Sequence, residues 1–407
     1  MRKLALSPLL LALAAPVAAE PGLPDEASVA GALDAHPSVL AARERVGAAR
    51  AGADARAVGP HELTFTGSYT RRNIDLEGDF DEFDAQLTRA FRLPGKARLD
   101  RAIGTHQVDA AENMAEDARH QAALILARHW WDWLEASAAA RVDERAVANY
   151  RSALNAVRRR EELGDASLLE VDQAEAALGS ARVLAEQSAG EAQVARSRLQ
   201  THFPSLAIPV EAPEVPAPDA EPDSLDRYRD LVIANSHEIA AAEAQARAMG
   251  SYAERTRMDR IADPSFGVRL FSERSGAERG AGLVFSIPLG GRHRGALADQ
   301  AAAEAGAASA DAALARFTVL ETAETDLAEA RLRLSSWQRA REALDAQMSA
   351  LLRQRRGHEL GEIDLADLLL AERMTHESFR TEAVARAAAQ RAVTQLRIDS
   401  HELWLAD

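Results

Sequence analysis

Two short stretches place acids and hydroxyls where they can organise a helix start. In Gly164-Asp165-Ala166-Ser167-Leu168-Leu169-Glu170 a serine stands three residues ahead of a glutamate. At that spacing each side chain accepts a hydrogen bond from the other's backbone amide, which is a capping box. Gly361-Glu362-Ile363-Asp364-Leu365-Ala366-Asp367 repeats the pattern with an acid at both positions. Gly164 and Gly361 stand just ahead, and glycine readily takes the left-handed conformation that ends a helix. The predicted roles are therefore turns at Gly164 and Gly361, and caps at Ser167 and Asp364.

Other reactive chemistry is sparse. The chain has no cysteine, which removes disulfides, thiolate metal sites and a Cys nucleophile. A lipid-bearing N-terminal cysteine goes with them. His120 and His129 are nine apart, off adjacent helical turns, and His202, His237, His293 and His358 are isolated in the sequence. No nucleophile elbow, phosphate loop or catalytically spaced carboxylate pair is present. The reading is of a non-enzyme with no cofactor and no metal site. A net charge of −15 argues against a nucleic-acid partner.

The elements that carry the two turns are long helices. Ala, Arg, Glu and Leu dominate and aromatics are few, at 5%. Arg2 and Lys3, the apolar Leu4–Val17 and the small residues Val17-Ala18-Ala19 read as a secretory signal peptide over 1–19. The rest divides into two similar halves. The first covers 20–203, with a strand pair at 62–93 and a long helical hairpin at 96–203. The second covers 223–407, with a strand pair at 264–288 and a hairpin at 292–402. Between them, 204–222 is dense in proline, which cannot continue a helix and reads as an extended linker.

Each half opens with a helix, Asp25 to Ala57 in the first and up to Ile261 in the second. Alternating apolar residues follow: Leu63, Phe65, Gly67 and Tyr69, then Phe83, Ala85, Leu87 and Phe91. In the second half they are Phe266, Val268 and Leu270, then Leu283, Phe285 and Ile287. Polar loops are expected between the members of each pair, at 71–81 and 272–280. Pro94, Gly95 and Lys96 close the first pair, and Pro288, Gly290, Gly291 and Arg292 the second. Proline and glycine redirect the chain there from sheet to helix. The basic residue after each junction faces either a lipid phosphate or an acidic neighbour.

Residues 96–162 would extend ~100 Å as one helix at ~1.5 Å per residue. The return helix carries Val171, Ala174, Leu178, Ala181, Ala185, Ser188, Ala192, Ala195 and Leu199 at heptad spacing. Trp130, Trp131 and Trp133 lie mid-helix, where packing under the linker is expected rather than a ligand site. Strands of about 10 residues cross a bilayer when tilted, and alternation with one apolar face fits a barrel wall. An open edge in hydrocarbon leaves backbone groups unsatisfied, so such a sheet must close, and four strands require other copies to do so. A small soluble sheet packed on helices remains the competing reading of the strands.

With these motifs the sequence resembles the TolC-like outer-membrane efflux proteins, in the branch serving heavy-metal resistance-nodulation-division pumps. The resemblance spans essentially the whole chain after the signal peptide. It rests on His36-Pro37 before an Ala-rich helix, on Leu93-Pro94-Gly95-Lys96 at the strand exit, and on the turn from Gly164 to Val171. It implies a homotrimer in which twelve strands form an outer-membrane barrel and twelve helices an α-helical barrel through the periplasm. A periplasmic adaptor (membrane fusion protein), an inner-membrane pump and outer-membrane lipid are the implied partners. The implied function is passive export of small solutes, heavy-metal cations among the candidates.

In that family the turns form the periplasmic tip, and acids at the positions of Glu170 and Asp367 line the tunnel mouth. One turn on, the chain has Gln173 and Leu370, so a second acidic ring is absent. The alternative function is a periplasmic coiled-coil adaptor or scaffold without a barrel.

Overall fold

The computed structural model describes residues 20–220 and 222–405. The signal peptide expected over 1–19 lies outside the described residues. In chain order the elements are α1 (Glu26–Asp34), α2 (Pro37–Val58), β1 (Leu63–Ile74), β2 (Gly78–Ala90), α3 (Lys96–Glu162), α4 (Leu168–His202), α5 (Asp226–Ala234), α6 (His237–Met258), β3 (Ser265–Glu273), β4 (Glu278–Ser286), α7 (Arg292–Glu359) and α8 (Leu365–Asp399). Two short helices, a strand pair, one very long helix and a shorter return helix thus occur twice.

Two expectations are corrected. The opening helix of each half is two helices. Pro37 fixes φ and lacks an N–H, which suits the first turn of α2 rather than a helix interior. The second break falls at Asn235-Ser236, where the Ser236 hydroxyl accepts from the Ile239 amide at 3.2 Å. The polar loops are also much shorter than expected, because the strands run on to Ile74 and Glu273. Their polar ends pair across the strands: Arg71 donates to Asp79 at 3.0 Å, and Arg72 pairs with Glu82 at 2.5 Å. Apolar alternation stops there, but ladder pairing does not.

The chain forms two compact units. One contains His36–Leu124, Asp223–Glu329 and the chain from Gln395. Its sheet is antiparallel in the order β1-β2-β3-β4, with β1 and β4 as open edges. The register aligns Phe65, Leu87, Val268 and Leu283 in one row, and Leu63, Arg89, Phe266 and Phe285 in another. All the alternating apolar residues of the four strands therefore share one face. Thr64, Thr66, Ser68, Asp84, Gln86, Thr88 and Arg269 share the other, where Arg269 pairs with Asp84. The apolar face is open: Leu283 is 89% exposed and Phe65 72%.

The other unit contains the described chain up to Ala35, Ile125–Pro222 and Ala330–Thr394. Its core joins Ala146, Tyr150, Leu154 and Val157 of α3 to Ala174, Leu178 and Ala181 of α4 and Leu365 of α8. Every residue of the heptad seam on α4 is buried or half-buried. Small seam residues let the backbones approach closely, so the hairpin is packed by alanine as much as by leucine.

Candidate functional sites: the helix turns and the strand–helix junction

The helix turns are built by backbone geometry. Gly164 has φ +81° and Gly361 φ +77°, a region costly to side chains with a Cβ. The Asp165 amide donates to the Arg160 carbonyl at 2.7 Å, and the Glu362 amide to the Gly357 carbonyl at 2.9 Å. The same closing bond thus ends α3 and α7. Ser167 and Glu170 form the full capping box: the Glu170 amide donates to the Ser167 hydroxyl at 3.2 Å, and the Ser167 amide to Glu170 Oε2 at 2.7 Å. The Asp367 amide donates to Asp364 Oδ1 at 2.8 Å. The two turns are neighbours, with Arg160 Nη1 3.5 Å from His358 Nε2.

The two acids are not equivalent. Hydrogen bonding to the Ser167 amide holds the Glu170 carboxyl below the usual carboxylate range. Its charge is spent on the cap. Asp367 is exposed and uses only its backbone in the cap. Gln173 and Leu370, distant in sequence, come together on the lining of one cavity of about 520 Å³ with Tyr150 and Arg373. The sequence reading missed the apolar collar of these turns: Leu163, Leu168, Leu169 and Leu360 are all exposed. Leucines beside two glycine turns, where polar residues are usual, were the available signal.

At the junction, Pro94 and Gly95, the latter at φ +92°, turn the chain from β2 into α3. Lys96 takes the acidic neighbour rather than the lipid phosphate. Its side chain is fully buried, and Nζ lies 2.8 Å from Asp259 Oδ1, 2.7 Å from Asp263 Oδ1 and 2.8 Å from the Ile261 carbonyl. Asp263 also pairs with His61 at 2.8 Å and accepts from the Leu93 amide at 3.1 Å. Arg92 and Arg255 both bind Asp100, each at 2.9 Å. Burial works to raise the Asp263 carboxyl, but hydrogen bonds from Lys96, His61 and Leu93 outweigh it and leave it below its ordinary value.

The second junction is not a copy. Arg292 is exposed, and it is Arg294 that donates to the Asp259 carbonyl, at 2.7 Å. Gly290 lies so close to the Arg260 carbonyl that a Cβ would collide with it. Arg294, Pro288, His61 and Asp263 line a cavity of about 950 Å³. The sequence did not flag Asp100, Asp259 and Asp263, because Lys96 meets Asp259 and Asp263, and Arg255 meets Asp100, only across more than 150 residues of chain.

Trp130, Trp131 and Trp133 are buried within the helical unit that contains Ile125–Pro222. Trp130 Nε1 donates to the Gly22 carbonyl at 2.8 Å, and Trp131 Nε1 to Thr394 Oγ1 at 3.1 Å. Arg141 holds the Ala212 and Pro213 carbonyls, and Arg386 the Val215 carbonyl. Two histidines read as isolated have ring neighbours: His202 stacks on His129 at 4.6 Å, and His237 lies 5.0 Å from His401. Among the described residues no three His, Cys, Asp or Glu side chains are placed to hold a metal ion, and no helix is long and apolar enough to cross a membrane.

Residues 29–202 match the model of the outer membrane efflux protein family. No curated protein matches the chain. The fold is shared with solved outer-membrane channels. VceC from Vibrio cholerae is 17% identical, with a TM-score of 0.76, covering 92% of this chain and 95% of that one. CusC, described for its transmembrane channel formation, is 17% identical with a TM-score of 0.70 over 92% and 91%. The open-state MtrE channel of Neisseria gonorrhoeae is 16% identical with a TM-score of 0.64 over 93% and 89%.

Proposed function

We propose that this chain, which carries the outer membrane efflux protein fold, is one protomer of a homotrimeric channel-tunnel. It sits in the outer membrane, extends into the periplasm and conducts small solutes without catalysis. The observation that carries this reading is the four-stranded sheet with its alternating apolar residues exposed on one face and two open edges. Hydrocarbon satisfies the face, and only strands from further copies satisfy the edges. The opposite face carries threonine, serine and the Asp84–Arg269 pair, which suits a water-filled lumen. An adaptor or scaffold without a barrel leaves that apolar face with no role.

The inner-membrane pump and periplasmic adaptor belong to the same reading. The turns at Gly164 and Gly361, with their exposed leucines, form the periplasmic end where an adaptor docks. Asp367, repeated around three copies, makes one acidic ring that favours cations over anions. Heavy-metal cations are the proposed cargo within that class. The test is membrane fractionation followed by sizing in detergent and single-channel recording in a planar bilayer. Outer-membrane residence, a trimer and cation-selective conductance support the proposal. A soluble periplasmic monomer that forms no channel refutes it.

A further inference from the structure

Asp326 of α7 and Asp399 at the end of α8 meet in the interior of the strand-bearing unit. Asp399 is 4% exposed. Its Oδ1 accepts from His120 Nε2 at 2.9 Å, while its Oδ2 is buried without a hydrogen-bond partner. Asp326 has the same asymmetry: Oδ1 accepts from Gln395 at 3.0 Å, and the buried Oδ2 has no partner. Gln395 stands one helical turn before Asp399 on α8, so its bond to Asp326 brings the two carboxyls together. Two ionised carboxylates offer each other acceptors only, so the contact is satisfied when one carboxyl carries a proton.

The surroundings are rich in titratable groups. α3 contributes Asp117 and His120, α6 His237 and Glu238, and α7 Glu329. Beyond α8, His401 packs its ring 5.3 Å from His120 and 5.0 Å from His237. His120, His237, Glu238, Asp399 and His401 line a cavity of about 240 Å³. The residues after Asp399 turn back onto this unit: Asn235 donates to the Ser400 carbonyl at 3.0 Å, Arg119 contacts the Trp404 carbonyl, and Leu403, Trp404 and Leu405 are buried.

We propose that Asp326 and Asp399 form a proton-binding site that holds the segment 400–405 in place, and that losing the shared proton loosens this segment. Burial first, then the hydrogen bond and charge of Asp399, push the Asp326 carboxyl up to about 8. Burial, and then the charge of Asp117, raise Glu238 as well. An acid with a raised folded pKa binds a proton that the unfolded chain has released. Its contribution to stability is therefore complete below the ordinary carboxylate pKa and is lost as pH rises towards about 8.

The test uses the full mature chain in detergent. Asp326→Asn supplies an amide donor to Asp399 at every pH and so mimics the protonated pair. Its thermal midpoint should exceed that of wild type by a margin that widens from about pH 4 to about pH 8 and then levels off. Asp399→Asn, the second variant, should show the same widening. Hydrogen exchange over 400–405, expressed as protection factors, should fall about tenfold or more in wild type between about pH 6 and pH 9, and less than about twofold in Asp326→Asn. A margin that does not change with pH in either variant, or tail protection insensitive to pH in wild type, overturns the proposal.

Discussion

Asp367 is a single carboxylate whose side chain the helix cap does not use, unlike Glu170, whose charge is committed to Ser167. Asp367→Ala should lower the cation-to-anion permeability ratio and raise single-channel conductance, while Asp364→Ala should leave conduction unchanged and cost about 1 kcal/mol as a lost cap. Unchanged permeability in Asp367→Ala would make that acid an ordinary surface group. His129 carries a second prediction. Burial first, then the positive charge of His202 and nearby arginines, lower its pKa to about 4. The unfolded chain takes up a proton near the ordinary histidine pKa, and the folded chain does so only near about 4. Stability should therefore fall as pH drops from about 6.5 towards about 4, and His129→Gln should flatten that acid limb in a thermal-melt series. Asp326 acts with the opposite sign across the same interval, so each effect is readable only as a difference from its own variant.

At the scale of elements, the junction between β2 and α3 is tied to the segment between α6 and β3 by one lysine. Lys96→Met leaves the nearly buried Asp263 without that cation, while Asp259 is 40% exposed and keeps Arg255, and breaking a buried pair costs about 3–5 kcal/mol. Urea unfolding should show that loss, and Asp263→Asn added to Lys96→Met should recover part of it. A loss below about 1 kcal/mol would mean that the site admits water freely. The duplicated halves diverge here. Arg292 cannot repeat the role of Lys96, because it is exposed and Asp259 already receives Arg294 at its carbonyl. The long hairpins differ in character: their packing is local, repetitive and made from small residues, so it survives single changes better than the junction does.

At the scale of the molecule, the proposed trimer rests on the open four-stranded sheet. Phe65→Arg places a charge on the exposed apolar face, which in the proposed barrel wall costs about 2–4 kcal/mol at bilayer mid-depth. Thr66→Arg, one residue on, points to the opposite face. Phe65→Arg should deplete the chain from the outer-membrane fraction and reduce the trimer band, and Thr66→Arg should leave both near wild type. Equal depletion by both would argue against a barrel wall.

The sequence by itself determined the periodic and local features. Heptad spacing located the seam on α4, period-two alternation located the apolar face of all four strands, and glycine with a spaced hydroxyl or acid located both turns and their caps. These depend on neighbours a few residues away, so the order of residues is sufficient to read them. Strand ends were misread where charged pairs replaced apolar alternation, since pairing across a ladder leaves no period in one strand. Only the tertiary structure decided the partners of Lys96 and the meeting of Asp326 with Asp399. Each joins segments tens to hundreds of residues apart, and burial, which sets what a buried charge must find, exists only once those segments are folded together.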